Sequence, residues 1–430
     1  MALVQEWRTF DSLPLLTADW PGTGGVLKVR CEDFLVEELP LYPAGGQGAH
    51  TYALIEKVGL NTLDALARIA GALGLPRREV GYAGLKDARA VTRQWISVEH
   101  VEPERLAGLH LPKISVLELR RHTNKIKLGH LAGNRFVIRL RQLAAPAEEA
   151  ARRATAVLEE LARRGVPNYF GPQRFGHRND TQQLGQAIVK GQVEEFVDQF
   201  LGRPAPNESA PIRQARTLYD HGQYEQALAA WPYGFHDQRR ALKALVQTGG
   251  KRRRAYAVVD RYLKRFFVSA YQSAIFNEVL AARMPRIDRL LPGDMAYKHD
   301  NGACFRVEDA AVEQPRCDRF EISPTGPLAG HKMTGLVGPA AEIENAVLER
   351  FGVGGEDLRQ RGQLVGHGAR RPLRFRPQNW QVSAGQDDMG EYLELQFELD
   401  AGCYATCLIR EITRSAVAEQ EAPDQAVPTE

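Results

Sequence analysis

The residues best suited to chemistry lie in GYAGLKDARAVTRQW, residues 81–95. Asp87 is the only acid in this stretch, and Lys86, Arg89 and Arg93 surround it. Neighbouring cations favour the ionised form of a carboxyl group. A carboxylate kept charged can attack as a nucleophile or accept a proton, but it cannot act as a resting general acid. The plainer reading is a salt bridge from Asp87 to Arg89 or Arg93 in a tight turn. No second acid stands in the stretch, so the paired carboxylates of a glycosidase are not visible there; a partner could come from elsewhere in the fold.

NYFGPQRFG, residues 168–176, is a second group. Asn168, Tyr169, Phe170, Arg174 and Phe175 stand together, and two glycines let the backbone approach a neighbour closely. Rings, an amide and a guanidinium suit a nucleobase that is stacked and read along its edge. A turn closed by a buried aromatic plug is an equally good reading. PGTGG at 21–25 resembles a phosphate cradle, but it precedes a strand and so reads better as a glycine turn. Lys28, expected on the strand that follows, is a phosphate-contact candidate. Basic runs recur at 120–127 (RRHTNKIK), 251–254 (KRRR), 261–265 (RYLKR) and 370–376 (RRPLRFR). One such run is usually a solvated face; four, two of them interleaved with aromatics, make nucleic-acid binding an even match for that reading. Arg370, Arg371 and Arg174 are the RNA-contacting candidates.

These groups need a scaffold. GTGGVLKVR and FLVEEL read as a Gly-rich turn and two short strands. NTLDALARIAGAL, 61–73, reads as a helix capped by Asn61 and stopped by Gly74 and Pro76. WISVE, ISVLELR, KIKLGH and RFVIRLR read as strands, and 146–164 as a helix with acids in its first turn and arginines in its last. From about 181 to 350 the pattern is mostly helical, with 251–284 forming one long helix or two, a strand-like CFRV, and a Pro/Gly loop at ISPTGPLAG. YLELQFEL then alternates as a half-buried strand, and ATCLIREIT is helical. Strand-rich segments flanking a helix-rich middle imply an α+β domain split by an insertion.

The chain has 430 residues, with 43% hydrophobic and 25% charged residues, values ordinary for a globular protein. Five scattered cysteines without a CxxC pair and 11 dispersed histidines without HExxH favour neither a disulfide framework nor a metal site. No apolar run is long enough for a membrane span, and the N-terminus lacks signal-peptide character, so a cytoplasmic protein is expected. Net charge is +3. The final 17 residues contain one Arg and four acids, which leaves a modestly basic body and a tail with little to bury, expected to be disordered.

GYAGLKDARAVTRQ resembles the G-x-K-D-x-x-A-x-T-x-Q signature of TruD-type tRNA pseudouridine synthases. GTGGVLKVRCEDFLVEE, NYFGPQRFG, SAYQSAIFN (269–277), ISPTGPLAG and LDAGCYATCLIREI resemble that family's other motifs, in the same order, from about 22 to 412. The resemblance implies an α+β fold: a pseudouridine-synthase catalytic domain with a mixed or antiparallel sheet, split by an inserted helix-rich α/β TRUD domain. The expected boundaries are 1–190 and 366–413 for the catalytic domain, 191–365 for the insert, and 414–430 for the tail. Extra helical sequence around 205–250 makes the insert longer than in short bacterial members. Carried over by position, Asp87 is the nucleophile or base. Phe34, Asn168, Phe170, Tyr404 and Lys28 are substrate contacts, with Phe170 placed against the target base.

The activity so implied is isomerisation of a uridine, at position 13 of tRNA, to pseudouridine. The base leaves through N1, turns, and rejoins the sugar through C5, without redox change. No cofactor and no metal are therefore expected, and tRNA is the partner of a monomer. The uridine must be extruded from folded RNA into a pocket. Two rivals carry different outcomes: an RNA-binding protein or RNA chaperone without turnover, and a hydrolase that cuts the glycosidic bond and releases free uracil.

Overall fold

The alternation in YLELQFEL buries Leu393, Leu395, Phe397 and Leu399, each stabilised by about 1.5–3 kcal/mol relative to exposure. The strand that carries them pairs along its length with a strand some 250 residues earlier, Leu393 opposite Leu140 and Phe397 opposite Phe136. Distant sequence is thus joined in one sheet. In this computed structural model, which describes residues 7–360 and 362–414, the chain divides into two units. One unites Thr17–Val166 with the segment beginning at Phe375; the other unites the N-terminal segment ending at Leu16 with Pro167–Arg374. The tail from residue 415 lies outside the described residues.

The sheet unit has nine strands: β1 (Gly24–Val26), β2 (Phe34–Pro40), β3 (His50–Val58), β4 (Gly81–Tyr82), β5 (Val91–Glu99), β6 (Ile114–His122), β7 (Leu131–Leu143), β8 (Gln378–Asp387) and β9 (Gly390–Asp400). Their order is β8-β9-β7-β2-β5-β3-β6, with β1 added to β7 and β4 to β5. All of these pairs are antiparallel except β2 with β5, so the sheet is mixed. Helix α1 (Thr62–Leu73) starts at Asn61, whose Oδ1 accepts from the Asp64 N–H at 2.8 Å, and ends at left-handed Gly74. Its apolar stripe, Ala65, Leu66, Ile69 and Leu73, packs on Ile55, Ile96 and Val98 of the sheet. Helix α2 (Ala147–Arg164) lies against β8 and β9, and α3 (Ala405–Thr413) closes the unit.

Two expectations fail here. KIKLGH is a loop, not a strand, because Ile126 is anchored from the side by the Ser97 hydroxyl rather than by a ladder. Lys28 lies beyond the three-residue β1, in a left-handed conformation with φ 55°.

The helical unit is built on Arg261–Arg283, against which Thr181–Val189 packs. The basic stretch before it forms a separate helix, Arg252–Val258, and Asp260 caps the longer one by accepting from the Tyr262 N–H. ISPTGPLAG is not a loop: Ile322–Leu328 is a strand. Its first half pairs with Met295–Lys298 and its second half with Ala369–Pro372. Each half is therefore paired on one edge, and that arrangement tolerates the missing N–H groups of Pro324 and Pro327. Expected boundaries at 190 and 365 contrast with contact boundaries at 166/167 and 374/375. Thr181–Val189 and Ala369–Pro372 group with the helices and strand they pack on. The N-terminal segment joins this unit as well, with Trp7 stacked on Phe351 at 4.0 Å.

Candidate active site

The loop between β4 and β5 presents Asp87. Two side chains from the same unit, Thr62 and Lys57, hold its backbone. The Lys86 N–H donates to Thr62 Oγ1 at 2.9 Å, and that hydroxyl donates to Gln94 Oε1 at 2.9 Å. The Lys57 ammonium, wholly buried, donates to the carbonyls of Leu60 at 2.5 Å and Asp87 at 3.0 Å. Burial pushes the Lys57 ammonium down to about 8, opposed by Asp87 and aided by Lys86. The Asp87 carboxylate itself stays 35% exposed and faces Lys28, with Nζ at 3.4 Å from Oδ2. Lys28 Nζ also lies 4.5 Å from the centre of the Phe34 ring. Cation, ring and carboxylate are thus one cluster, and the left-handed turn at Lys28 is what delivers its side chain there.

The cations next to Asp87 in sequence have other duties. Lys86 forms a buried ion pair with Glu38 at 2.8 Å. Burial raises the Glu38 carboxyl above its ordinary range, and Lys86 draws it partly back. Arg93 engages Glu56 at 2.9 Å and Glu37 at 3.5 Å. Arg89 donates to the Lys28 carbonyl at 3.1 Å. The expected salt bridge to Arg89 or Arg93 is therefore replaced by one to Lys28, because Arg89 turns to the Lys28 carbonyl and β2 and β3 bring Glu37 and Glu56 to Arg93. Tyr404, half-buried, immediately precedes α3, and its carbonyl accepts from the Cys407 N–H at 3.1 Å.

The helical unit brings together a second set. Asn168 is buried; its Nδ2 donates to the Pro372 carbonyl at 2.9 Å and its Oδ1 accepts from Arg371. Both ends of the amide are thus committed within its own unit. The Arg371 guanidinium lies 4.4 Å from the Phe170 ring centre and 5.6 Å from that of Phe276. Arg174 donates to Ser269 and Ser273. Its guanidinium lies 5.4 Å from the Phe266 ring and 6.0 Å from that of Phe170. Arg370 stands apart. Its side chain is 4% exposed and forms a bidentate pair with Glu344 at 2.8 and 2.9 Å. An inward-facing, neutralised guanidinium does not offer itself to phosphate, so Arg370 is corrected to a structural residue.

Three contributors escaped the sequence reading. Lys57 lies in a strand with no distinguishing pattern. Glu38 lies in the FLVEEL strand, where a buried acid had no visible partner. Asn277 ends SAYQSAIFN and could have been singled out as the polar end of an apolar helix face. It accepts from the Phe170 N–H at 2.8 Å and donates to the Phe170 carbonyl at 3.0 Å. Among the described residues, no group of three or more His, Cys, Asp or Glu could hold a metal ion, and no helix is long and apolar enough to cross a membrane.

The family profile described as tRNA pseudouridine synthase D (TruD) matches residues 12–412. A tRNA pseudouridine synthase D of Geobacter sulfurreducens is 45% identical over 93% of this chain and 96% of its own length. One from Thermus thermophilus is 37% identical over 94% of this chain and 93% of its own. A crystal structure of a candidate tRNA pseudouridine synthase D from Methanosarcina mazei superposes with a TM-score of 0.83 at 28% identity, covering 94% of this chain and 97% of that one. The mixed α+β fold and its ordered motifs define an enzyme of the pseudouridine-synthase class, an isomerase. The chain belongs to the tRNA pseudouridine synthase D (TruD) family.

Proposed function

We propose that this protein converts uridine 13 of tRNA to pseudouridine, with Asp87 as the reacting carboxylate. The observation that carries the reading is the Asp87 cluster: a partly exposed carboxylate on a backbone locked by Lys57 and Thr62, beside the Lys28 ammonium and the Phe34 ring. In the reaction the N1–C1′ bond breaks and a C5–C1′ bond forms. C5 gives its proton to solvent, and N1 ends protonated. The carboxylate either adds covalently to the sugar or base and then leaves, or removes a proton on a glycal route; both routes place Asp87 at the reacting nucleotide. Lys28 supplies positive charge where negative charge gathers, and Phe34 gives the pocket an apolar wall. Tyr404 and, from the helical unit, Phe170, Arg174 and Arg371 are proposed as further substrate contacts, and Asn168, whose amide is already committed, is proposed to hold Arg371 in place.

The test is release of tritium from tRNA labelled at uridine C5, beside filter binding of the same preparation. Asp87→Asn is expected to bind tRNA and release no tritium above background. Asp87→Glu is also expected to fail, since one methylene moves the reacting oxygen by about 1 Å and that scale of misplacement costs about 10²-fold. Tritium release at the wild-type rate by Asp87→Asn would sink the assignment. Free uracil among the wild-type products would turn the reading to hydrolysis.

A further inference from the structure

We infer that Leu85, with Leu128 on the loop fastened to its own, is a wedge that enters the RNA base stack and holds the gap left by the extruded uridine; the inference rests on the proposed uridine isomerisation. Leu85 is 55% exposed, although it sits two residues from Asp87 in the motif loop. Two residues of chain span at most about 7 Å, so the Leu85 backbone lies within about that distance of the backbone that carries the reacting carboxylate. An apolar side chain held in water at that place gains nothing for the fold. Leu128 is 58% exposed in the loop that follows β6.

This second loop is fastened to the first. The Gly129 N–H donates to the Ala83 carbonyl at 2.9 Å, and the Ile126 N–H donates to Ser97 Oγ at 2.9 Å. Tyr52, Ala83 and Ile126 pack beneath them, with Trp95 and Leu131 alongside. Gly81 permits the approach, since a Cβ there would lie 2.5 Å from the Ile126 carbonyl oxygen. The result is a packed base under two joined loops, each with an exposed leucine, and the exposed Lys127 next to Leu128 provides a charge for nearby phosphates. Extrusion costs stacking energy, and proteins that distort nucleic acids meet that cost by inserting Leu, Phe or Met between bases. Exposed apolar and positively charged groups on the Asp87 loop and the loop joined to it fit that partner: folded RNA around an unstacked nucleotide.

The experiment places 2-aminopurine next to the target uridine in a tRNA transcript and follows fluorescence on binding the full-length protein, with tritium release and filter binding in parallel. Wild-type protein should raise the fluorescence as the neighbour unstacks. Leu85→Ala should abolish most of that rise and lower kcat about tenfold, a loss within the range of one stacking contact, with affinity within about threefold. Leu85→Met should restore both, and Leu128→Ala should weaken the rise in the same direction. Unchanged fluorescence and kcat in Leu85→Ala would overturn the inference. So would a fall in kcat with the fluorescence rise intact, since Leu85 would then be acting on Asp87 rather than on the RNA. A wild-type protein that raises fluorescence without releasing tritium would instead defeat the isomerisation reading and leave the wedge standing.

Discussion

The Lys57 ammonium donates to the main-chain carbonyl of Asp87, not to its carboxylate. The acid that does the proposed chemistry is therefore held by its backbone from below, while its side chain is left to face Lys28. A second carbonyl, that of Leu60, shares the same ammonium. One buried cation thus joins the end of β3, the start of α1 and the motif loop.

Lys57→Met should keep the packed volume and leave those two carbonyls without their donor. Unsatisfied buried acceptors cost about 1–3 kcal/mol each, so the variant should unfold at lower denaturant concentration with an unchanged slope. The loosened loop should lower kcat for tritium release more than it changes tRNA affinity. Wild-type kcat in a variant shown to be destabilised would separate Lys57 from the positioning of Asp87.

The same lysine gives a pH signature. In the folded protein burial lowers its pKa to about 8, against about 10.4 in an unfolded chain. Between those values the unfolded state binds more protons, so this group makes stability rise with pH across the window. Wild-type protein should therefore gain stability relative to Lys57→Met as pH goes from 8 to 10, measured by denaturant unfolding at each pH. A difference that stays flat or narrows would mean that Lys57 is not charged and buried as described.

Much of this was legible before folding was known. The caps of α1 are written in Asn61 and Gly74, and the inward face of β9 in every second residue from Leu393 to Leu399, because local periodicity reports burial directly. The motif loop and Asp87 were legible through spacing and resemblance. What failed was the choice of partner. Arg89 and Arg93 were the partners expected for Asp87, yet Arg89 donates to the Lys28 carbonyl and Glu37 and Glu56 arrive from neighbouring strands to take Arg93, as Glu38 takes Lys86. Ion pairing is decided by register between strands, which a linear reading does not contain. The same limit explains Arg370, whose partner Glu344 lies 26 residues away on a helix.

Arg370 should accordingly behave as a core residue. Removing one partner of a buried ion pair typically costs about 3–5 kcal/mol, so Arg370→Ala should markedly lower the unfolding midpoint. Each lost phosphate contact would reduce the slope of log K against log salt by about 0.7–0.9. Arg370→Ala, measured where it remains folded, should leave that slope unchanged. A flattened slope in a folded variant would return Arg370 to the RNA-contacting set.

Asn277 offers the sharpest test of how the helical unit holds its aromatic group. Its amide meets Phe170 twice, donor to carbonyl and acceptor to N–H. Phe170 in turn lies edge-on to Phe276 at 5.5 Å and beneath Arg371. Asn277, Phe170 and Phe276 are buried, so water cannot replace the amide without opening the structure. Asn277→Ala strands two backbone groups at about 1–3 kcal/mol each, and the expected loss is about 2–6 kcal/mol in the unfolding of the helical unit. Phe170 should lose its fixed position as well, so Asn277→Ala should also raise KM for tRNA if that ring contacts the substrate. Arg371→Ala would serve as the control, since it strips the cation from the ring without touching the Phe170 backbone. A destabilised Asn277→Ala with wild-type KM would show that Phe170 is held there for packing alone.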